Sequence, residues 1–168
     1  VIENFFLRMA RGSGLKGLVS LGTNTQIENI NLIRPLIEFD KRDLIFLSKF
    51  IFNFYVDDPT NDDIKFNRIK VRNLIRRFED FGLDKKKFQL TIENLKKSDH
   101  SIKFYVEKNK KENSIFNYRK NELILKDNFF DNSHEVIFRS LSDLIHLVGK
   151  QPNFVRGKKI ENILNKIK

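Results

Sequence analysis

A basic, acid-free stretch at positions 64–78, IKFNRIKVRNLIRRF, holds side chains that could bind an anion. Arg68, Arg72 and Arg76 recur at intervals of four residues, so a helix would align them along one side, together with Lys65. Planar guanidinium groups at this pitch can follow a row of phosphates or hold a triphosphate, because each fork donates two hydrogen bonds to one anion. A solvated helix face is the alternative. Like charges four residues apart destabilise a helix, however, which favours a binding function. The packing face is expected on the opposite side, at Ile64, Val71, Leu74, Ile75 and Phe78.

A second candidate is the glycine-rich segment at 12–17, GSGLKG, which fits the G-x-G-x-x-G pattern of dinucleotide-binding sites. That pattern requires a buried strand before it. The preceding residues, VIENFFLRMAR, instead have the apolar spacing of an amphipathic helix. We therefore expect a helix that ends at Gly12 and Gly14, where glycine tolerates a positive φ angle. The segment is predicted to be a turn and not a pyrophosphate cradle.

The elements that would position these residues are mainly helical, with minor β-structure. Asp40 can cap a helix to about Phe52, and the turn at 57–63, DDPTNDD, precedes the arginine-rich helix, with Asp58 as its N-cap. This turn lacks the glycine and terminal glutamate of a calcium loop. Further predicted features are a short strand at 30–34, a break at Gly82, one bent helix or two across 88–106 interrupted at Asp99 and His100, a hairpin at 115–125, and helices at 136–148 and from about 156.

The composition of the chain indicates which classes of partner and site it can have. The net charge of +10 favours a polyanion such as RNA or DNA, because clustered lysine and arginine attract phosphates. The absence of cysteine excludes disulfides, thiolate nucleophiles and cysteine-bound zinc, and the three histidines lack metal-ligand spacing. No apolar run is long enough to cross a membrane. We therefore expect a cytoplasmic protein with no membrane partner.

Taken in order, these pieces resemble the tRNA(Ile)-lysidine synthases, members of the PP-loop ATP-pyrophosphatase group. The order and spacing agree across residues 1–78, whereas the remainder agrees in basic character and length. The resemblance implies that residues 1–80 are the C-terminal part of an α/β PP-loop catalytic domain, adenine-nucleotide hydrolase-like in fold. Residues 81–168 would be a helical, basic domain that binds tRNA. The matching residues are Glu3 with the helix to Arg8, RGSGLKGL at 11–18, Arg34-Pro35-Leu36, DDPTN at 57–61, and the helix that begins Phe66-Asn67-Arg68.

The resemblance implies a ligase that forms a carbon–nitrogen bond. Enzymes of this family use ATP and Mg²⁺ to adenylate O2 of the wobble cytidine in the isoleucine tRNA with a CAU anticodon. The ε-amine of free L-lysine then displaces AMP, which changes codon reading from AUG to AUA. The implied partners are tRNA(Ile), free L-lysine and ATP, and a homodimer is left open as the assembly.

The resemblance also assigns roles to particular residues. Glu3 matches an acid near the point where lysine and ATP meet, and Glu3, Arg8 and Arg11 form the predicted catalytic set. The segment at 12–17 is expected to shape a loop near the nucleotide site. No metal ligand is assigned. The predicted substrate- or tRNA-binding residues are Gly12, Gly14, Lys16, Arg34, Arg68, Arg72 and Arg76.

Two departures limit the expected activity. The family's ATP-binding loop, S-G-G-x-D-S, does not occur in the 168 residues, nor does the His/Asp-rich motif expected just before Val1. The family's Arg-Asn-x-Ile-Arg is RIKVR here, at 68–72, so the role of that asparagine does not carry over. We therefore expect part of a catalytic domain and the start of a tRNA-binding domain, inactive alone.

Two other functions fit part of the sequence. Another PP-loop tRNA-modifying enzyme, such as a cytidine thiolase, would generally need cysteines or an iron–sulfur cluster, and this chain has no cysteine. A non-enzymatic helical RNA-binding module would account for the charge but not for the ordered motifs at 1–72. An S-G-G-x-D-S loop in the coding sequence upstream of Val1 would separate the enzyme from the module.

Overall fold

A computed structural model describes residues 1–27, 30–57, 67–150 and 154–167. The chain divides into two compact units, residues 1–96 and residues 97–168. Helices predominate in both units, and each unit contains a two-stranded antiparallel sheet. The prediction of a mainly α fold with minor β-structure is confirmed for these residues. The predicted domain boundary near residue 80 stays a prediction.

The first unit begins with two helices and a hairpin. The helices predicted at 1–11 and after Asp40 are confirmed, and so is the arginine-rich helix, while its predicted N-cap, Asp58, lies outside the described residues. The elements are helix α1 (Ile2–Met9), helix α2 (Leu15–Leu18), strands β1 (Asn24–Ile27) and β2 (Ile30–Ile33), helix α3 (Lys41–Phe52), helix α4 (Asn67–Asp80) and the first part of helix α5 (Lys85–Asn113).

Glycines at two positions adopt the left-handed conformation that ends a helix. Gly12 has a φ angle of 69° and Gly82 a φ angle of 96°, so the predicted break at Gly82 is confirmed. Gly14 differs from the prediction, because its φ of −69° and ψ of 179° are extended and it precedes α2. The physical reason is that Ser13 N already donates to Arg8 O at 3.0 Å, which closes the end of α1 before Gly14 is reached.

Aromatic side chains hold α1 against α4 and against the start of α5, which carries Phe88. The Phe6 ring is stacked on Phe78 and on Phe88, with ring centroids 5.8 Å and 5.2 Å apart. Phe5 meets Phe88 edge to face at 5.3 Å. Such arrangements bury large apolar rings and each contributes roughly 0.5–1.5 kcal/mol beyond the burial itself. They fix α1 on the unit and therefore fix the position of Glu3.

The apolar side chains of α3 are not covered in the described structure. Phe50 is 75% exposed and Ile51 55% exposed, and no residue of α3 is buried. Phe46 stacks on Phe50 with ring centroids 6.2 Å apart. Contiguous exposed apolar surface of this kind is typical of an interaction surface.

We expect this surface to bind a hydrophobic dye. Phe46→Ser combined with Phe50→Ser should lower the fluorescence of added anilinonaphthalene sulfonate. The free energy of unfolding should stay within about 0.5 kcal/mol of the parent, because neither ring is buried. The matched control is Phe81→Ser, which removes a ring that is 90% exposed elsewhere in the unit and should leave most of the dye signal. A large loss of stability in the double variant would show that the α3 rings are covered in solution.

The second unit is built on the end of α5, which continues without a break to Asn113. The sequence predicted either one bent helix or two across 88–106, and the structure has one helix there. The hairpin and the two C-terminal helices predicted from the sequence are confirmed. The further elements are strands β3 (Ser114–Asn117) and β4 (Glu122–Leu125), a 3₁₀ turn (Asp127–Phe130), helix α6 (His134–Gly149) and helix α7 (Gly157–Ile167). The core contains Phe129, Leu141, Leu144, Ile160 and Leu164.

A buried ion pair explains why α5 continues through Asp99. Asp99 is 2% exposed and Arg139 of α6 is 4% exposed. Arg139 Nη1 donates to Asp99 Oδ1 at 2.6 Å, and Lys103 Nζ lies 3.1 Å from Asp99 Oδ2. Arg139 Nε also donates to Glu135 Oε1 at 2.6 Å. Charged groups are buried in proteins only when paired in this way, so the aspartate that looked like a helix break is a tertiary contact.

Candidate functional site

The arginines of α4 fall into two groups according to their surroundings. Ile69 and Ile75 are buried, and at 3.6 residues per turn Arg72 lies between them around the helix. Arg72 is therefore on the buried side of α4 and is itself half-buried, whereas Arg68 and Arg76 flank it with exposed side chains. Arg77 is exposed as well, so the helix presents one arginine to the protein and three to the surroundings.

The packing face of α4 differs in part from the predicted one. Ile75 and Val71 are at least half-buried as expected, but Leu74 is 42% exposed and Phe78 39% exposed. Ile69, which was not predicted to pack, is buried instead. The sequence-based prediction placed Lys65, Arg68, Arg72 and Arg76 together on the side of the helix opposite the packing face. It failed because Arg72 finds an acidic partner there.

That partner is Glu3. Arg72 Nε donates to Glu3 Oε1 at 2.7 Å, with side-chain exposures of 38% and 39%. An ion pair this exposed contributes only about 1 kcal/mol or less to stability. Its larger consequence is geometric, because the contact joins α1 to α4 and fixes the direction of the Arg72 guanidinium.

The exposed cations of α4 create a positive surface. Lys70 and Arg77 are exposed as well as Arg68 and Arg76. No acidic residue occurs between positions 67 and 78. Several cations on a short helix with no intervening acid raise the local positive potential and attract phosphate groups.

The turn after α1 is closed tightly by backbone hydrogen bonds. Arg8 O accepts hydrogen bonds from Arg11 N at 3.1 Å and from Ser13 N at 3.0 Å. A Cβ added at Gly17 would lie 2.9 Å from Ser13 Cβ and 4.0 Å from Arg8 Nη1. Gly17 is therefore needed for α2 to approach the turn. Gly17 was not among the predicted site residues, although the third glycine of G-x-G-x-x-G commonly permits such close packing.

The other predicted residues of this turn are exposed. Arg8, Arg11, Gly12 and Lys16 all lie at the surface. These residues follow the C-terminal end of α1, whereas Glu3 lies at the N-terminal end of the same helix. Their predicted catalytic and binding roles stay predictions.

Arg34 has structural partners within its own hairpin. Its Nη1 donates to Thr25 Oγ1 at 2.9 Å and to Gly22 O at 3.3 Å, while its backbone N donates to Thr23 O at 2.6 Å. These bonds tie the chain after β2 to the chain around the start of β1. The predicted role of Arg34 in substrate binding stays a prediction. The DDPTN motif lies outside the described residues except for Asp57.

The residues that the structure describes do not form a Mg²⁺ site. Nowhere in the described ranges do three His, Cys, Asp or Glu side chains cluster as potential metal ligands, and Glu3 is engaged by Arg72. No ATP-binding S-G-G-x-D-S loop occurs in the sequence. We therefore assign no step to Mg²⁺ or ATP on these residues. None of the helices described has the length and apolar character needed to cross a membrane.

Comparison with known proteins finds a family match in the first part of the chain. Residues 1–78 match the PP-loop domain family. The similar curated proteins are tRNA(Ile)-lysidine synthases. The one from Wolbachia pipientis wMel is 28% identical over 103 residues, which are 61% of this chain and 24% of that protein. The resemblance found in the sequence is thus confirmed.

Two further relatives share higher identity over shorter stretches. The tRNA(Ile)-lysidine synthase of Bradyrhizobium diazoefficiens is 38% identical over 82 residues, covering 49% of this chain and 23% of the relative. That of Orientia tsutsugamushi is 37% identical over 79 residues, covering 45% and 17%. The chain therefore spans about a quarter or less of the length of these relatives. No solved structure matches it.

Proposed function

We propose that the chain provides the basic, tRNA-facing part of a tRNA(Ile)-lysidine synthase. The proposal rests on one observation: the region that matches the PP-loop domain contains most of α4, on which Arg68, Lys70, Arg76 and Arg77 are exposed with no acidic residue among them. Arg68 and Arg76 are exposed, and Glu3 orients Arg72 between them. A helix used only as a solvated surface gains nothing from this acid-free grouping of cations.

The proposed reaction requires charge neutralisation around a polyanionic substrate. An activated C2 of the wobble cytidine is attacked by the ε-amine of free L-lysine. A carbon–nitrogen bond forms, the bond from C2 to oxygen breaks, and AMP leaves with that oxygen. ATP, when it is bound, would supply the adenylyl group to that oxygen with release of pyrophosphate, and the attacking amine loses a proton as the carbon–nitrogen bond forms. In this proposal Arg68 and Arg76 hold phosphates of the RNA by bidentate hydrogen bonds, and Glu3 acts through Arg72 as a positioning residue.

Binding of tRNA to the chain should be strongly salt-dependent. If three arginines of α4 each neutralise one phosphate, the affinity should fall about 20- to 40-fold between roughly 50 and 200 mM salt, because condensed counterions are released on binding. Arg68→Ala combined with Arg76→Ala should reduce the slope of log affinity against log salt by about 2. The measurement is a fluorescence-anisotropy titration of labelled tRNA at four salt concentrations.

A matched control removes the same charge from another helix. Lys41→Ala combined with Arg42→Ala also deletes two exposed cations, but these are flanked by Asp40 and Asp43. This variant should keep a slope near that of the parent. Equal effects of the two double variants would reduce the role of α4 to net charge alone, and a salt-independent affinity would contradict the proposal.

A further inference from the structure

The β3–β4 hairpin carries an exposed aromatic residue at its tip. Tyr118 is 83% exposed, although large aromatic rings are usually at least partly buried. Arg119 and Lys120 follow it and are also exposed. The tip therefore combines a flat ring with two cations on neighbouring positions.

Hydrogen bonds to the Asn117 side chain and a ring contact support the tip. Asn117 Oδ1 accepts hydrogen bonds from Arg119 N at 3.1 Å and from Lys120 N at 3.4 Å. Asn121 has a positive φ angle of 52°, as the turn requires. The ring of Phe116 meets that of Tyr118 edge to face, with centroids 4.4 Å apart. The exposed ring is thus supported from one side and does not hang from a loose loop.

A contact with α6 anchors the tip to the body of the second unit. Asn121 Nδ2 donates to Val148 O at 3.3 Å, which satisfies a carbonyl that the end of a helix leaves without a partner. Lys150 follows two residues later and is exposed. The hairpin tip is therefore bonded to the end of α6, which is followed by a further exposed cation. Glu122 is the single acidic residue among positions 117–122.

We propose that this tip, formed by Tyr118, Arg119 and Lys120, stacks an unpaired base of the bound tRNA. This inference rests on the proposed function, because it names a contact within the same RNA complex. Every base has a flat face that can stack on an aromatic ring, while neighbouring cations hold the backbone phosphates. Unpaired bases in the loops of an RNA can be turned out for such a contact, whereas bases inside a duplex cannot.

The first test compares affinities for tRNA in the full 168-residue chain. Tyr118→Ala should weaken binding about 5-fold or more, and Tyr118→Phe should bind nearly as tightly as the parent because the ring is kept. The matched control is Phe81→Ala, which removes a ring that is 90% exposed and flanked by Glu79, Asp80 and Asp84. It should leave affinity unchanged. Circular dichroism confirms that each variant is folded.

The second test reports stacking directly. The chain has no tryptophan, so Tyr118→Trp introduces a single fluorophore at the tip. A short oligouridylate should quench its emission, whereas heparin, a polyanion without bases, should bind without comparable quenching. Equal quenching by heparin would reduce the tip to an electrostatic contact and overturn the proposal. A concentration-dependent emission shift without RNA would overturn it in favour of contact between two copies of the chain.

The outcomes separate this inference from the proposed function. If the parent binds tRNA and Tyr118→Ala binds equally well, the stacking inference fails while the proposed function stands. If the parent does not bind tRNA, both fail. If Tyr118→Ala weakens binding but Tyr118→Phe restores it, the ring itself makes the contact.

Discussion

Asp99→Leu should destabilise the second unit by about 3–5 kcal/mol, the largest effect expected from one substitution in this unit. The change leaves Arg139, which is 4% exposed, without its buried carboxylate partner. Removing one member of a buried ion pair has this cost because the remaining charge loses its compensation while it stays out of water. The Nη2 atom of Arg139 already has no hydrogen-bond partner in the described part of the chain. Urea unfolding followed by circular dichroism measures the change.

A double-variant comparison separates the pair from general damage to the core. Asp99→Leu combined with Arg139→Met removes both charges and should be less destabilising than Asp99→Leu alone. An exposed pair supplies the control: Lys85 Nζ lies 2.5 Å from Glu79 Oε1, and Lys85→Ala should cost about 1 kcal/mol or less. A double variant less stable than either single one would show that packing, and not charge, dominates at this site.

The same pair makes stability depend on pH in a defined direction. Burial alone raises the pKa of Asp99, but hydrogen bonds from Arg139 and Lys103 outweigh it and hold that pKa below its ordinary value. A carboxyl whose pKa is lower in the folded state stabilises the fold above its unfolded pKa, about 3.9, and loses this contribution as the pH falls below it. The parent should therefore lose more stability between about pH 5 and pH 2 than the double variant does.

Arg68→Lys and Arg72→Lys should each lower lysine incorporation into tRNA by about 10- to 100-fold although the charge is kept. A lysine ammonium cannot reproduce the planar fork that grips two oxygens or, at Arg72, the Nε–H donated to Glu3. The assay uses residues 1–78 in place of the matching segment of the Bradyrhizobium diazoefficiens relative, after the unsubstituted chimera has been shown to be active. Thermal melting of each variant excludes unfolding as the cause.

The control for that comparison is Arg42→Lys, the same substitution at an exposed arginine of α3, which should keep full activity. Combining Glu3→Gln with Arg72→Lys tests the positioning role of Glu3. If Glu3 acts through Arg72, the double variant should be little worse than the worse single variant. Multiplied losses would instead give Glu3 an independent contact with substrate. Full activity in both Arg→Lys variants would show that these arginines of α4 form only a solvated helix face.

The sequence by itself determined most of the helices, two of the helix ends and the turn of the second hairpin. Local periodicity sets α1, α3 and α6, because apolar residues that recur every three or four positions need a helix to share one face. Glycine at positions 12 and 82 sets two helix ends through its tolerance of positive φ. The hairpin at β3 and β4 follows equally from local signals, since its turn is closed by its own asparagine. Such features depend on neighbours within a few residues.

Only the tertiary structure decided which charged groups meet. Glu3 and Arg72 are 69 positions apart, and Asp99 and Arg139 are 40 apart. No local pattern relates such positions, because the contact depends on how α1 lies on α4 and how α5 lies on α6. The same dependence reversed one prediction, because Arg72 joined the packing side of α4. It also decided between the two forms expected across 88–106, because α5 continues through Asp99 as one helix. A charged residue on a buried face is unfavourable in isolation and becomes acceptable only when folding delivers its partner.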